Sequence, residues 1–210
     1  MQLLGKLIIK SKNKITEFLN QEQTGRISSI DENGYPQIIP MNFVFINDAV
    51  YMHSHIKGEK LNNIKRNFKV GFEVDRNLEF LPSYFFDPKD ASLADTLYIS
   101  VIIKGEASIV NKKDEIVLAL NALMKKYQPE GRYEPMNSDM EVLNAVAIIK
   151  IIPKEISGKY KIGQNMNMDE RIELASNILK KNSKTALETL NVMGFAIEEG
   201  KPVLKIDEEW

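Results

Sequence analysis

The sequence predicts an α+β fold that is mainly β: six antiparallel strands in a closed or nearly closed barrel, capping helices and a C-terminal helical extension. Three observations predict it. Short runs rich in β-branched and aromatic residues recur up to about residue 160, with turn residues between them. Most of these runs are apolar on both faces, which suits a barrel better than an open sheet. After Gln164 the apolar spacing becomes helical. The expected organisation is a barrel domain over residues 1–162 and a helical extension with a terminal hairpin over 163–210.

Taken in order, Ile15, Phe18 and Leu19 recur at helical spacing among polar neighbours and predict a short amphipathic helix over 11–23. Asn33-Gly34 separates RISSI from PQIIPMNFVFI and predicts a hairpin, because both residue types tolerate positive φ. Asn47-Asp48 predicts a second hairpin, into AVYMHSH. Leu61 and Ile64 give one helical face over 57–66, and KVGFEVD returns to strand. A long connection from Leu78 to Asp95 carries Pro82, Pro88 and the aromatics Phe80, Tyr84, Phe85 and Phe86. LYISVIIKGEASIV is strand, with Gly105 expected at a bulge or bend. Lys113–Tyr127 reads as a helix with Ile116, Leu120, Leu123 and Met124 inward, ended by Gln128-Pro129. The last long strand is expected from Glu141 to Ile162. Two helical segments follow, with Asn165 or Asn167 as N-cap, and FAIEEGKPVLKI closes as a hairpin.

Composition narrows the function. With 43% hydrophobic residues in 210, the chain suits one globular domain with an appended element. A net charge of -1 supplies no overall electrostatic footprint for nucleic acid, so only a local patch would serve. The absence of cysteine removes disulfides, thiolate metal sites and cysteine nucleophiles. Lys6 and Lys10 break the apolar N-terminal run, which makes a poor signal peptide and is too short to span a membrane. The expectation is a cytoplasmic protein that does not engage a membrane.

The stretch from His53 to Lys60 offers the clearest chemistry. A strand ending in His53-Ser54, a turn through Lys57-Gly58 and a helix starting there would aim free backbone amides at one spot, where an anion is favoured. Ser54 adds a hydroxyl, Lys60 a positive charge suited to phosphate, and Gly58 room for close approach. The competing reading makes Lys60 a solvated lysine and Gly58 a helix-start glycine. Neither GxGxxG after a strand nor GxxxxGK[ST] is present, which argues against a dinucleotide Rossmann domain or a P-loop. His53 and His55, the only histidines, share one strand face. A metal there would need ligands from unplaced carboxylates, so no metal is assigned.

Several short patterns together resemble the flavin-binding split-barrel proteins related to pyridoxamine 5'-phosphate oxidase, especially the branch with nitroimidazole-resistance proteins. Tyr51, His53, Ser54, Gly58 and Lys60 stand in register with the family's Y-x-H-S-x-x-x-G-x-K. Gly34, Pro36, Pro40, Asn42 and Phe43 match G-x-P-x-x-x-P-x-N-[FY]. Tyr98, Ser100, Val101, Ile102 and Gly105 match [YF]-R-S-V-I-x-x-G, except that Ile99 replaces the arginine and supplies no cationic fork. The resemblance spans about residues 20–160. Gly158-Lys159-Tyr160-Lys161 with Gln164-Asn165 and Arg171 is similar to another split-barrel branch, the PaiB-type flavin proteins described as transcriptional regulators.

The resemblance implies FMN as cofactor, bound between the subunits of a homodimer, with Pro40, Met41, Asn42, Phe43, His53, Ser54, Gly58, Lys60, Ser100 and Val101 in contact. It places the backbone of Met41 to Phe43 along the isoalloxazine edge. His53 lies beside the flavin, where it could hydrogen-bond the cofactor or give a proton to substrate as the catalytic residue. The aromatics of the long connection could stack on a flavin, though packing explains such clusters as well. Apolar residues on both faces of IIPMNFVFI point independently to a dimer surface. The leading expectation is an oxidoreductase passing electrons from a reduced nicotinamide through FMN to a small flat acceptor, nitro-aromatic or quinone-like. The alternatives are a non-catalytic flavin sensor or regulator, or a split barrel that takes haem or a deazaflavin.

Overall fold

The computed structural model of the chain describes residues 5–205. It is an α+β protein built from α1 (Lys12–Gln21), β1 (Thr24–Ile30), β2 (Pro36–Asn42), β3 (Val44–Ile46), β4 (Ala49–His55), α2 (Glu59–Arg66), β5 (Lys69–Leu81), β6 (Asp95–Ile109), α3 (Lys113–Tyr127), β7 (Val146–Lys161), α4 (Met168–Lys181), α5 (Ala186–Val192), β8 (Phe195–Glu198) and β9 (Lys201–Leu204). The first four residues of the N-terminal run and Ile206, the end of the expected terminal hairpin, lie outside the described residues.

The main sheet has seven strands in the order β2-β1-β5-β6-β7-β4-β3, and β8-β9 form a separate pair. The expected six strands become seven because PQIIPMNFVFI breaks at Phe43. The piece before it pairs with β1, from Thr24 opposite Asn42 to Ile30 opposite Pro36, while Val44 turns to pair with Tyr51 of β4. The two edge strands are therefore neighbours in the chain with one residue between them. That connection requires the sheet to curl until its edges approach, and no ladder joins β2 to β3 among the described residues.

Two compact units make up the chain. One contains Lys12–Val74 and Val101–Ser157. Its interior is filled by Ile27, Phe43, Met52, Phe72, Ile103 and Ile149, all essentially inaccessible to water. On one side Ile116, Ala119, Leu120 and Leu123 of α3 close over Val44, Tyr51 and Ile148. Met124, expected inward with them, is half-buried and Ala119 takes the inner position. Gly105 of β6 is required by close approach: a Cβ there would fall 2.6 Å from Ile151 Cγ2 and 2.7 Å from the Ile152 carbonyl.

Among the described residues, the other unit contains those up to Ser11, Asp75–Ser100 and those from Gly158 onward. Here Ile9 donates to the Gly158 carbonyl at 3.0 Å beside a bridge between Ile8 and Lys159. The helix α4 starts at a reciprocal cap, Asn167 accepting from the Glu170 amide and Glu170 from the Asn167 amide, both at 2.9 Å. Buried Glu79 of β5 accepts from Lys181 at 2.7 Å, from Thr185 at 2.7 Å and from Ser183, which fixes the α4–α5 turn.

Two strand limits differ from expectation. Leu81 still belongs to β5, so the long connection shrinks to 82–94 and holds two single 3-10 turns. Residues 141–145 form a 3-10 turn, and β7 begins at Val146. The hairpins also differ in kind. Asn47 and Asp48 both have positive φ (50° and 56°) between paired Ile46 and Ala49, a two-residue turn. Around Asn33-Gly34 only Gly34 is positive, at 87°, and the loop spans 31–35. Asp31 organises it by accepting from the amides of Asn33 and Tyr35, each at 2.8 Å.

Candidate functional site

The site is built from the end of β4, the turn 56–58, the start of α2 and the edge strand β2, all within the first unit. On β4 the alternation of side chains places His53 and His55 on the exposed face and buries Ser54. His55 is tied down, its Nδ1 accepting from the Lys57 amide at 3.1 Å. The His53 ring makes no hydrogen bond with the described residues. The Ser54 hydroxyl donates to the His55 carbonyl at 3.1 Å, so its proton is held by its own strand end.

Gly58 precedes α2 with φ 151° and ψ 157°, a conformation L side chains rarely adopt, and no side chain caps the helix there. Nothing lies within 4 Å of where a Cβ would stand. The Leu61 and Asn62 amides donate to the Gly58 carbonyl at 3.1 and 3.3 Å, and half-buried Lys60, in the first turn of α2, has no side-chain partner among the described residues. Lys57, by contrast, is exposed.

Behind α2 lies a polar network. Buried Asn63 donates to Gln37 at 3.2 Å and to Ser29 at 3.4 Å, and accepts from Arg66 at 2.8 Å. Gly58 and Glu59 open onto a cavity of about 320 Å³ that Asp31, Glu32, Asn62 and Arg66 also line. The larger groove, about 460 Å³, runs past the other face of α2 between Ile56, Leu61, Lys65 and the end of β6. Lys60 lines neither.

The second part of the candidate site is β2. Pro40 and Asn42 are exposed and Met41 half-buried. As an edge strand, β2 pairs on one side with β1 and leaves alternate backbone groups without ladder partners on the other. Phe43 is fully buried, and its ring meets Phe72 edge-on at 5.1 Å. On β6, Val101 is fully buried and Ser100, on the opposite face, is half-buried.

Sequence reasoning missed the groups that hold Phe43. The Tyr127 hydroxyl accepts from the Phe43 amide at 2.9 Å, and its one proton is shared between the carbonyls of Phe43, at 3.1 Å, and Gln23. Lys126 stands 3.8 Å above the Phe43 ring and donates to the Leu19 carbonyl at 2.9 Å. Desolvation lowers its pKa to about 8, against a smaller opposing effect of Glu22. These residues lie far from Phe43 in sequence, and a lysine in a helix's last turn reads as solvated. Nearby, Tyr51 and Lys150 both donate to Glu115, at 2.9 and 2.7 Å. Lys150, followed by Tyr51, holds the Glu115 carboxyl below its ordinary range.

The segment after β7 has a structural use. Gln164 accepts from the Ile162 amide at 2.9 Å and donates to the Tyr160 carbonyl. The Tyr160 hydroxyl donates to Val192 at 3.0 Å, and buried Arg171 to Met193 at 3.1 Å. Phe80, Tyr84 and Phe86 are exposed. Among the described residues no group of three or more His, Asp or Glu is placed to hold a metal, and no helix is long and apolar enough to cross a membrane.

Residues 11–160 match the profile of the family described as Pyridoxamine 5'-phosphate oxidase. Solved structures that share the fold include the following three. A candidate 5-nitroimidazole antibiotic resistance protein from Bacteroides thetaiotaomicron is 21% identical with a TM-score of 0.62, over 73% of this chain and 86% of that one. The flavocytochrome Anf3 from Azotobacter vinelandii is 16% identical with a TM-score of 0.63, over 74% and 69%. A FAD and heme binding protein from Mycobacterium smegmatis is 17% identical with a TM-score of 0.62, over 77% of each chain. No curated protein matches the sequence.

Proposed function

The chain belongs to the pyridoxamine 5'-phosphate oxidase family, and from that premise we propose that it binds FMN and passes electrons from a reduced nicotinamide to a small flat acceptor. The observation that carries the reading is the start of α2. An uncapped helix N-terminus, a glycine at φ 151° with open space around it and an unpartnered half-buried Lys60 fit one phosphate group. No glycine-rich cradle for a pyrophosphate accompanies it, which favours FMN over FAD.

The free edge of β2 at Met41 and Asn42 offers backbone donors and acceptors for the edge of a flat ring. Buried Ser54 and Phe43 would contribute through their backbone surroundings, since the Ser54 proton and the Phe43 amide already have partners. His53, exposed and without a partner among the described residues, is free to hold or give a proton at its ring nitrogens. Bound flavin would supply the hydride and electron transfer; the protein supplies anchoring, orientation and proton supply. A second copy of the chain is proposed to complete the groove: Ile38 is 63% exposed on β2 and Tyr35 70% exposed just before it.

The test is the absorbance spectrum of the purified protein, followed by mass spectrometry of the heat-released cofactor and stopped-flow mixing with a reduced nicotinamide. Flavin bands, an FMN mass and rapid bleaching support the reading. A Soret band or a FAD mass would replace the cofactor, as in the flavocytochrome or the FAD and heme binding protein. Bound FMN that no nicotinamide reduces would favour a sensor over an enzyme.

A further inference from the structure

We infer that Tyr127 and Lys126, at the end of α3, are positioning residues for the strip of β2 that would face the flavin ring. The inference rests on the FMN reading above. Phe43 is the one residue of the run 36–46 that belongs to neither β2 nor β3, so its amide and carbonyl cannot be satisfied by a ladder. Tyr127 replaces the ladder by bonding both groups, and it also reaches Gln23 just before β1. Lys126 presses on the Phe43 ring from above and is itself anchored to Leu19 of α1.

Phe72, which meets the Phe43 ring edge-on at 5.1 Å, packs so closely on the β1 backbone that a Cβ on Gly25 would fall 2.1 Å from its Cζ. Gly25 is the register partner of Met41. The Phe43 side chain is thus in contact with both Lys126 and Phe72, and its backbone is held by Tyr127. Met41 and Asn42, two residues and one residue before it, take their direction from this clamp. A ring edge bonded to their backbone would sense any shift in it.

The test uses the full-length protein as wild type, Tyr127→Phe, Lys126→Met and Lys60→Ala. Deuterium uptake by peptides covering 36–46 is measured without cofactor, and FMN is then titrated while its visible bands are recorded. Tyr127→Phe leaves a buried amide without its acceptor, so uptake over 36–46 should rise several-fold. FMN should bind roughly tenfold more weakly, with bands displaced from those of wild type. Lys126→Met, which keeps the apolar stem over Phe43, should displace the bands in the same way and is read if Tyr127→Phe does not fold. Lys60→Ala should weaken binding with uptake and band positions unchanged.

Wild-type uptake in both α3 variants would overturn the clamp. Faster uptake with unshifted bands would make the two residues structural only and overturn the positioning role. Failure of the wild type itself to bind FMN would overturn the cofactor reading and the positioning role with it, while the uptake data would still report whether the clamp holds.

Discussion

Lys126 holds its ammonium group 3.8 Å from the centre of the buried Phe43 ring, far from it in sequence but next to it in the fold. The contact is favourable, yet it takes the ammonium out of water, and desolvation brings its pKa down to about 8. The unfolded chain keeps an ordinary lysine near 10.4. Between about pH 8 and 10.4 the unfolded state therefore binds more protons than the folded one, and stability contributed by this group rises with pH. Urea midpoints measured from pH 7 to 10 should climb for the wild type relative to Lys126→Met. Parallel pH profiles for the two proteins would show that Lys126 is solvated.

Glu79 gives the opposite sign. Burial alone would raise its pKa, but hydrogen bonds from Lys181, Ser183 and Thr185 outweigh that and hold it below the ordinary carboxylate value. The stabilisation it provides is complete above the unfolded pKa near 4.3 and is lost as pH falls through the lower folded value. Glu79→Gln should cost about 1–3 kcal/mol at pH 7 by weakening charge-assisted bonds. Urea unfolding at pH 7 and again near pH 3 should show that cost shrinking in acid. A cost that stays constant with pH would mean the carboxylate charge contributes nothing.

Gly105→Ala tests the close approach of β6 and β7. The added Cβ would meet the Ile152 carbonyl at 2.7 Å, a backbone atom that cannot swing aside as a side chain can. Overpacking of this kind costs about 1–3 kcal/mol. Thermal unfolding should register it as a lowered midpoint, whereas Gly5→Ala, with nothing within 4 Å, should leave the midpoint nearly unchanged. Equal midpoints for the two variants would contradict the packing at Gly105.

The parts of the fold legible in the sequence are those set by neighbours along the chain. Asn47-Asp48 forms a two-residue turn because both residues tolerate positive φ, and Asn167 caps α4 with Glu170 three residues on. The α2 start was legible for the same reason, since Gly58, Lys60 and the strand before them are local. The break at Phe43 was not legible. PQIIPMNFVFI reads as one apolar strand, and what interrupts it is a tyrosine hydroxyl arriving from the end of α3. Ser54 illustrates the same limit: its residue type suits a phosphate, but its proton is given to the His55 carbonyl. The buried carboxylate of Glu79 and the lowered pKa of Lys126 likewise depend on partners that only the folded chain brings together.

A flavin phosphate seated at the start of α2 against Lys60 is tested most directly by comparing Lys60→Ala with Lys57→Ala. A charge-assisted contact is worth about 1.5–3 kcal/mol, so Lys60→Ala should raise the FMN dissociation constant roughly ten- to a hundredfold. Exposed Lys57 should matter by less than about a factor of three. Titration of both apoproteins with FMN at two salt concentrations measures the difference. A large loss confined to Lys60→Ala is the predicted result; equal and small losses for the two lysines would contradict the assignment.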